Sequence, residues 1–547
     1  GYMVVHRVRW AFSDHRCSAV LETQHKTRCV RVATHCHGVV DLLLHPRLGS
    51  TRLFGRRYRR HAGRGNRDCL GTSNAGRLTA VEPPVRRYNE KVFLGMKIAY
   101  ITAGAAGMYC GSCLHDNTLA AALMAKGHEV ALIPTYTPTR TDEEDVSIDR
   151  VFYGAVNVFL GQKSPVFRHI PEPLHWLLDR PKLLNWVSGL SGAIDATKLG
   201  DMTLSVAKGE TGNQQREVEE LVSWLRDDFK PDIVHITNSM FLGLAGPLKR
   251  EIRVPVLCSL QGEDIFLDQL SEPYKSQVHE QLRAHARVVD GLVATCNYYA
   301  SFMGEYLDVD PQRIHVVPLG IKLEGHQAAP PAPQSPDTPV EEVPENSHST
   351  SSPFVVGYLA RICPEKGLHK LVEAFALLSE RVGKKDLRLH VAGYLGKRDE
   401  TYFQDIKGQV DELGLTEVFD YAGEVNRDEK IDFLQTVDVL SVPTTYSDPK
   451  GLFVLEALAN GTPVVQPAHG SFPEMIAATG GGLLFEPGST ESLADKLEQL
   501  MRAPQNLYEL GRRGADAVHK RFSDTAMADA TLGVYRKWLQ EPRGEAI

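Results

Sequence analysis

Residues 442–474 read VPTTYSDPKGLFVLEALANGTPVVQPAHGSFPE. The stretch begins as the end of an apolar strand, turns at a polar loop holding Asp448, and enters a short apolar helix at Gly451-Leu452. Gly461 ends the helix, and TPVVQP (462–467) starts another strand. Strand, loop, helix and strand in so short a span make a βα repeat, the building block of a parallel sheet covered on both faces.

Working outward, the same rhythm runs from residue 354 onward. The strands FVVGYLA (354–360), LRLHVAG (387–393), VFDYAG (418–423) and VDVLSVP (437–443) precede the quoted helix. HKLVEAFALLSERVG (369–383) lies between the first two, with apolar residues at helical spacing. Upstream, KIAYIT (97–102), EVALIP (129–134), PDIVHIT (231–237), VPVLCSLQ (254–261), GLVATC (291–296) and RIHVVP (313–318) form a second series. The expectation is an α/β chain with an N-terminal Rossmann-like domain over 96–322 and a C-terminal one over 354–525. A final helix is expected over 526–547. Between the domains, residues 323–353 are rich in Pro, Ser and Glu and nearly free of large apolar side chains. Such a composition does not bury enough surface to offset ordering entropy, so this segment is expected to be a flexible insertion. The segment 165–190, with its Trp and Leu residues, interrupts the alternation and is expected to pack against the first domain.

The first 95 residues differ from the rest. They hold 16 Arg and 2 Lys against 6 Asp and Glu, a net charge of +12, so the remaining chain carries −19 of the overall −7. They show neither a strand nor a helix period for long, and a clean strand opens only at Met96. The expectation is a basic extension, disordered or non-native. RLFGRRYRR (52–60) has no nucleic-acid-binding motif beside it, so no nucleic-acid partner is expected. No apolar run reaches 18 residues, and the opening residues lack a compact apolar segment ending in small residues, so neither a membrane-spanning helix nor a secretory leader is expected. With few, irregularly spaced Cys in the body, the expected location is the cytoplasm, with the inner face of a membrane left open as a peripheral contact.

The chemistry concentrates at the carboxyl ends of the strands, where open α/β sheets bind ligands. Arg361 ends the strand FVVGYLA and Lys366 follows five residues later. A guanidinium fork and an ammonium suit a diphosphate whose leaving charge must be stabilised. Gly451 and Leu452 open a helix whose positive end favours phosphate. Glu456, inside that helix, suits a pair of ribose hydroxyls, and Asp448 in the preceding loop is placed to reach a sugar ring. On the opposite domain Gly107 and Gly111 belong to a small-residue loop after the first strand. Gln261 and Asp264 follow another strand, and all four are expected on the acceptor side. Cys110 and Cys113 have no partner pair at ligand spacing, so no metal site is expected. His115, His235 and His285 are expected in core or surface roles.

Arg361, Lys366 and the DPKGLFVLEALANGTPVV segment resemble the retaining family-four glycosyltransferases, over roughly 96–540 and most specifically 354–475. The resemblance implies the GT-B fold: two facing Rossmann-like domains with the active site in the cleft, and a last helix crossing back to the first domain. It implies transfer of a hexose from a nucleotide-diphosphate sugar to a glycan, lipid or small-molecule acceptor, with retention of configuration and no metal cofactor. It assigns Arg361 and Lys366 to the diphosphate, Glu456 to the ribose and Asp448 to the transferred sugar, with catalysis resting on Asp448, Arg361 and Lys366. Three positions depart from the family pattern. Asp448 stands where Glu is usual, Ser471 where a second Gly is common, and Gln261 where relatives often have His. The rival readings are a non-catalytic nucleotide-sugar-binding protein, or an epimerase or phosphorylase on the same scaffold. A phosphorylase needs a pyridoxal-binding lysine, for which the sequence offers no clear candidate.

Overall fold

The structure is a computed structural model that describes residues 8–13, 16–21, 95–104, 111–152, 199–326 and 353–540. The chain divides into two compact units, Gly1–Pro84 and Val85–Ile547. In the first, β1 (Val8–Ser13) and β2 (Arg16–Leu21) pair as an antiparallel hairpin, from Val8 opposite Leu21 to Ser13 opposite Arg16. The rest of the basic extension, the 165–190 segment and nearly all of the 323–353 insertion lie outside the described residues.

The second unit holds two six-stranded parallel sheets. In the first, β3 (Lys97–Thr102), β4 (Glu129–Pro134), β5 (Ile233–Ile236), β6 (Val256–Leu260), β7 (Gly291–Ala294) and β8 (Ile314–Val316) lie in the order β4-β3-β5-β6-β7-β8. In the second, β9 (Phe354–Leu359), β10 (Leu387–Ala392), β11 (Phe419–Gly423), β12 (Val439–Leu440), β13 (Val464–Pro467) and β14 (Gly482–Phe485) lie in the order β11-β10-β9-β12-β13-β14. Strands such as β3, with Ile98, Ala99, Tyr100 and Ile101 wholly buried, are apolar without alternation because helices cover both faces of the sheet. In each sheet the chain reverses direction of travel once, between β3 and β5 and between β9 and β12. Those reversals leave crevices at the strands' carboxyl ends. The sequence reading did not include β14.

The last helix, Asp524–Gln540, does not pack on the sheet that precedes it. Met527, Ala528, Leu532, Tyr535 and Leu539 join the core under the first sheet, with Met96, Ile98, Tyr100 and Leu257. Two passages of chain run side by side where it leaves the second sheet. The Ile321 N–H donates to the Phe522 carbonyl and the Asp524 N–H to the Ile321 carbonyl, both at 2.9 Å. Further along, Tyr535 Oη lies 2.6 Å from His235 Nδ1, and Trp538 Nε1 donates to His315 Nε2 at 3.0 Å.

Candidate active site

The two crevices share a cavity of about 440 Å³, walled by both sheets. From β9 the chain enters a tight turn, Pro364–Lys366, and Gly367 (φ +72°) starts the helix Leu368–Val382. A Cβ at Gly367 would stand 1.9 Å from the Pro443 carbonyl oxygen, so only glycine lets the turn close against the neighbouring loop. Arg361 lines the cavity, donates through Nε to Cys363 Sγ at 3.4 Å and makes no ion pair among the described residues. Lys366 Nζ sits 2.5 Å from Asp448 Oδ2 and 2.8 Å from Tyr446 Oη, over the rings of Tyr446 and Phe453. Burial disfavours its charge, but Asp448 and Tyr446 more than compensate and raise its pKa.

Asp448 is almost wholly buried and engaged on every side. Oδ1 accepts the N–H groups of Lys450 (2.9 Å) and Gly451 (3.2 Å), while Oδ2 accepts from Lys366 and from Tyr446 Oη (2.9 Å). Burial alone would raise its pKa, yet the Lys366 ammonium and these donors hold it at about 2. The sequence reading expected Asp448 to reach a sugar ring; here its carboxylate is held by protein donors. Its short side chain folds back onto the N–H groups two and three residues on, as Asp does in turns. In this state it shapes the turn and anchors Lys366. Gly451 (φ +63°) then starts the helix Leu452–Ala459, and Gly451 and Leu452 both line the cavity.

Glu456 also faces the cavity, with Oε1 2.6 Å from Lys430 Nζ. The same ammonium lies 2.5 Å from Asp142 Oδ2, on the opposite wall. Lys430 is buried, but its two carboxylates outweigh that burial and raise its pKa.

The first sheet's wall carries fewer charges. Gly111 and Ser112 open the helix Gly111–Ala125, and Ser112 Oγ accepts from Lys450 Nζ at 2.8 Å. Gln261 lines the cavity but donates through Nε2 to Asp116 Oδ1 (2.8 Å) and the Thr237 carbonyl (3.0 Å). Both of those partners are acceptors, which fixes the amide's orientation and leaves Oε1, buried and without a partner, as its remaining polar atom. Asp116 is fully buried and also accepts from Tyr100, Thr102 and Thr237 at 2.6–2.9 Å. Burial opposes its ionisation, but hydrogen bonds led by His115 hold its pKa below the usual value. Asp264 does not line the cavity. Its Oδ1 takes the Tyr299 hydroxyl at 2.6 Å, because the helix Asn297–Leu307 brings that ring against the loop. Gly107 and Cys110 lie outside the described residues. Among the described residues no three His, Cys, Asp or Glu side chains gather in a metal-holding group, and no helix is long and apolar enough to cross a membrane.

Two family models match the chain: "Glycosyl transferase 4-like domain" over residues 117–320 and "Glycosyl transferases group 1" over 340–516, together well over half of it. The chain belongs to the group 1 glycosyltransferases. Its similarity to D-inositol 3-phosphate glycosyltransferase of Segniliparus rotundus is 31% identity over 296 residues, 53% of this chain and 61% of that one. It thus spans about three-fifths of that relative's length. Sucrose-phosphate synthase of Thermosynechococcus elongatus superposes with a TM-score of 0.57 at 18% identity, covering 81% of this chain and 98% of that chain. Anabaena HepE, solved in complex with UDP-glucose, superposes at 0.53 with 15% identity, covering 81% and 99%. These likenesses show the GT-B fold.

For this group 1 glycosyltransferase the structure brings Arg361, Lys366, Asp448, Gly451, Leu452, Glu456, Gly111 and Gln261 to one cavity. It adds three residues that the sequence reading passed over: Lys430, Asp142 and Lys450. Lys430 follows the Asn426–Glu429 capping box that starts the helix Arg427–Thr436, a signal visible in the sequence. Its partner Asp142 stands 288 positions away, a pairing that no local pattern encodes.

Proposed function

We propose that this chain transfers a hexosyl group from a nucleotide-diphosphate sugar to a hydroxyl acceptor, with retention of configuration. One observation carries the reading: Arg361, Lys366, the opening of the Leu452 helix and Glu456 share a single cavity whose far wall is the other sheet. The guanidinium of Arg361, free of ion pairs among the described residues, offers its fork to the diphosphate, and Lys366 adds a second cation. Leaving-group charge is then met by side chains at the position a metal ion would otherwise serve, so no metal is invoked. Glu456, oriented by Lys430, accepts the ribose hydroxyls. The base lies beyond it toward Tyr394 and Val425, which line the same cavity. The sugar rests near the Asp448–Gly451 turn and the acceptor near Gln261, whose free Oε1 accepts a hydroxyl hydrogen. The acceptor hydroxyl attacks from the face on which the diphosphate departs, and a diphosphate oxygen takes its proton. The sugar–phosphate bond breaks as the new glycosidic bond forms.

The full occupation of Asp448 by protein donors favours one second reading, a protein that holds the donor without turning it over. A thermal-shift screen of UDP-, GDP- and ADP-sugars, followed by mass-spectrometric detection of free nucleoside diphosphate, separates the two. A stabilising donor that is consumed supports transfer or hydrolysis, and a stabilising donor that stays intact supports binding alone. If no donor raises the melting temperature, the donor site is wrong.

A further inference from the structure

The first turn of the helix Asn297–Leu307, on the first sheet, is gripped from the other half of the unit by a single carboxylate. Glu474, in the helix Phe472–Thr479, accepts the Asn297 N–H (2.9 Å) and Asn297 Nδ2 (2.9 Å) on Oε2, and the Tyr298 N–H (2.5 Å) on Oε1. The opening N–H groups of a helix have no partner within it, and its positive end attracts an anion, so this is a strong place to seat a carboxylate. Two residues before the helix begins, at Thr295, a second tie crosses the same boundary. Thr295 Oγ1 donates to the Pro449 carbonyl at 2.7 Å.

Both ties converge on the turn that carries Asp448. Within its own half, the helix bearing Glu474 is joined to that turn: the Ser471 N–H donates to the Asp448 carbonyl at 2.8 Å, and a Cβ on Gly451 would stand 2.8 Å from the Phe472 ring. From the other half, the Tyr299 hydroxyl donates to Asp264 and accepts the Gly262 N–H at 2.8 Å, which fixes the loop carrying Gln261 and Gly262. The two cavity walls nearly touch here, since a Cβ on Gly262 would lie 3.0 Å from Pro449 Cγ. The Asn297 helix therefore links the donor-side turn and the acceptor-side loop, and Glu474 clamps its end.

We propose that Glu474 is a positioning residue that latches the two halves together and sets the gap between the Asp448–Gly451 turn and the Gln261–Gly262 wall. Its effect on rate rests on the transferase reading; the latch itself does not. Transfer between two separately held substrates falls steeply when their spacing drifts by an ångström. The test compares Glu474→Ala, Glu474→Gln and Glu474→Asp in the full chain. Small-angle scattering without ligand should show a larger radius of gyration for the alanine variant, and hydrogen exchange should show faster exchange at Asn297 and Tyr298. Calorimetric titration with UDP, GDP and ADP should give dissociation constants within about threefold of the parent, because the bonds Glu474 makes go to Asn297 and Tyr298 and not to Arg361, Lys366 or Glu456. Turnover should fall by about 10- to 100-fold in the alanine variant, with Glu474→Gln, which keeps one acceptor oxygen, losing less. An alanine variant with parental scattering and exchange overturns the latch. So does nucleotide affinity that falls in step with turnover, which would mark a general loosening of the second sheet. If the parent consumes no donor, the functional reading falls, and scattering and exchange alone decide the latch.

Discussion

The two sheets of the second unit differ in where they keep their charge. The second sheet puts its ionic groups on the cavity wall: Arg361, Lys366 with Asp448, and Glu456 with Lys430. The first sheet's half keeps one carboxylate, Asp116, wholly inside, satisfied by hydroxyls, a histidine and the Gln261 amide, and the one charge it brings to the cavity lining, Asp142, is already paired with Lys430. The same architecture thus serves two chemistries. On the function proposed above, one face meets the many oxygens of a nucleoside diphosphate and the other meets a hydroxyl.

The largest effect that tests this contrast is expected at Lys366. Lys366→Ala should lower kcat/KM by about 100- to 1000-fold, as loss of one charge-stabilising donor does elsewhere. Because it also strands Asp448 as a buried unpaired charge, it should cost about 3–5 kcal/mol of stability, read by urea denaturation. If the variant is as stable as the parent, Asp448 is not held as described. Next comes Glu456→Gln, which should weaken nucleoside-diphosphate binding by about 10- to 100-fold in calorimetry, the worth of a charged hydrogen bond. An unchanged dissociation constant would move the ribose elsewhere. On the first sheet, Asp116→Asn should leave that binding within about threefold while costing about 1–3 kcal/mol of stability through unsatisfied buried donors and acceptors. Equal losses in binding and stability would erase the distinction between the sheets.

A pH effect follows from the core beneath the first sheet. His235 is wholly buried between Tyr535 and Ser259, and burial lowers its pKa to about 3. The unfolded chain takes up this proton at higher pH than the folded one. The contribution of neutral His235 is therefore complete above pH about 6.5 and is lost as pH falls toward 3. Stability should decline over that interval with a slope of up to about 1.4 kcal/mol per pH unit from this group. Denaturant titrations of His235→Asn between pH 7 and 5 should show a shallower decline than the parent. The smallest effect is expected at the exposed Arg140–Glu424 pair, which also joins the two halves. Arg140→Ala should change stability by less than about 1 kcal/mol, as exposed pairs do.

Much of the fold was legible because parallel strands buried on both faces are continuous apolar runs, and KIAYIT, EVALIP and FVVGYLA match β3, β4 and β9 closely. β14 escaped because GLLF is short and follows directly on the glycines 480 and 481. Arg361, Lys366, Asp448 and Glu456 of the second wall were legible because they follow strand ends and a helix start, whereas Lys430 and Lys450 were passed over. The hydrogen-bond partners of Asp448, Gln261 and Asp264 were not, since each includes a donor or acceptor that only the fold brings near: Lys366, Asp116 and Tyr299.

The last helix of the chain completes the floor of the first sheet, filling it with Met527, Leu532 and Tyr535 and giving His235 one of its two hydroxyl partners. During synthesis the half that emerges first is therefore the half that is finished last. Until residue 540 has left the ribosome, the apolar underside of that sheet is covered only in part, by the helix Gly111–Ala125, and its maturation waits on the whole second sheet. Supplying Asp524–Gln540 as a separate peptide to a chain ending at residue 523 should restore protection of the β3 amides in hydrogen exchange. If the shortened chain already protects them fully, assembly does not depend on this order.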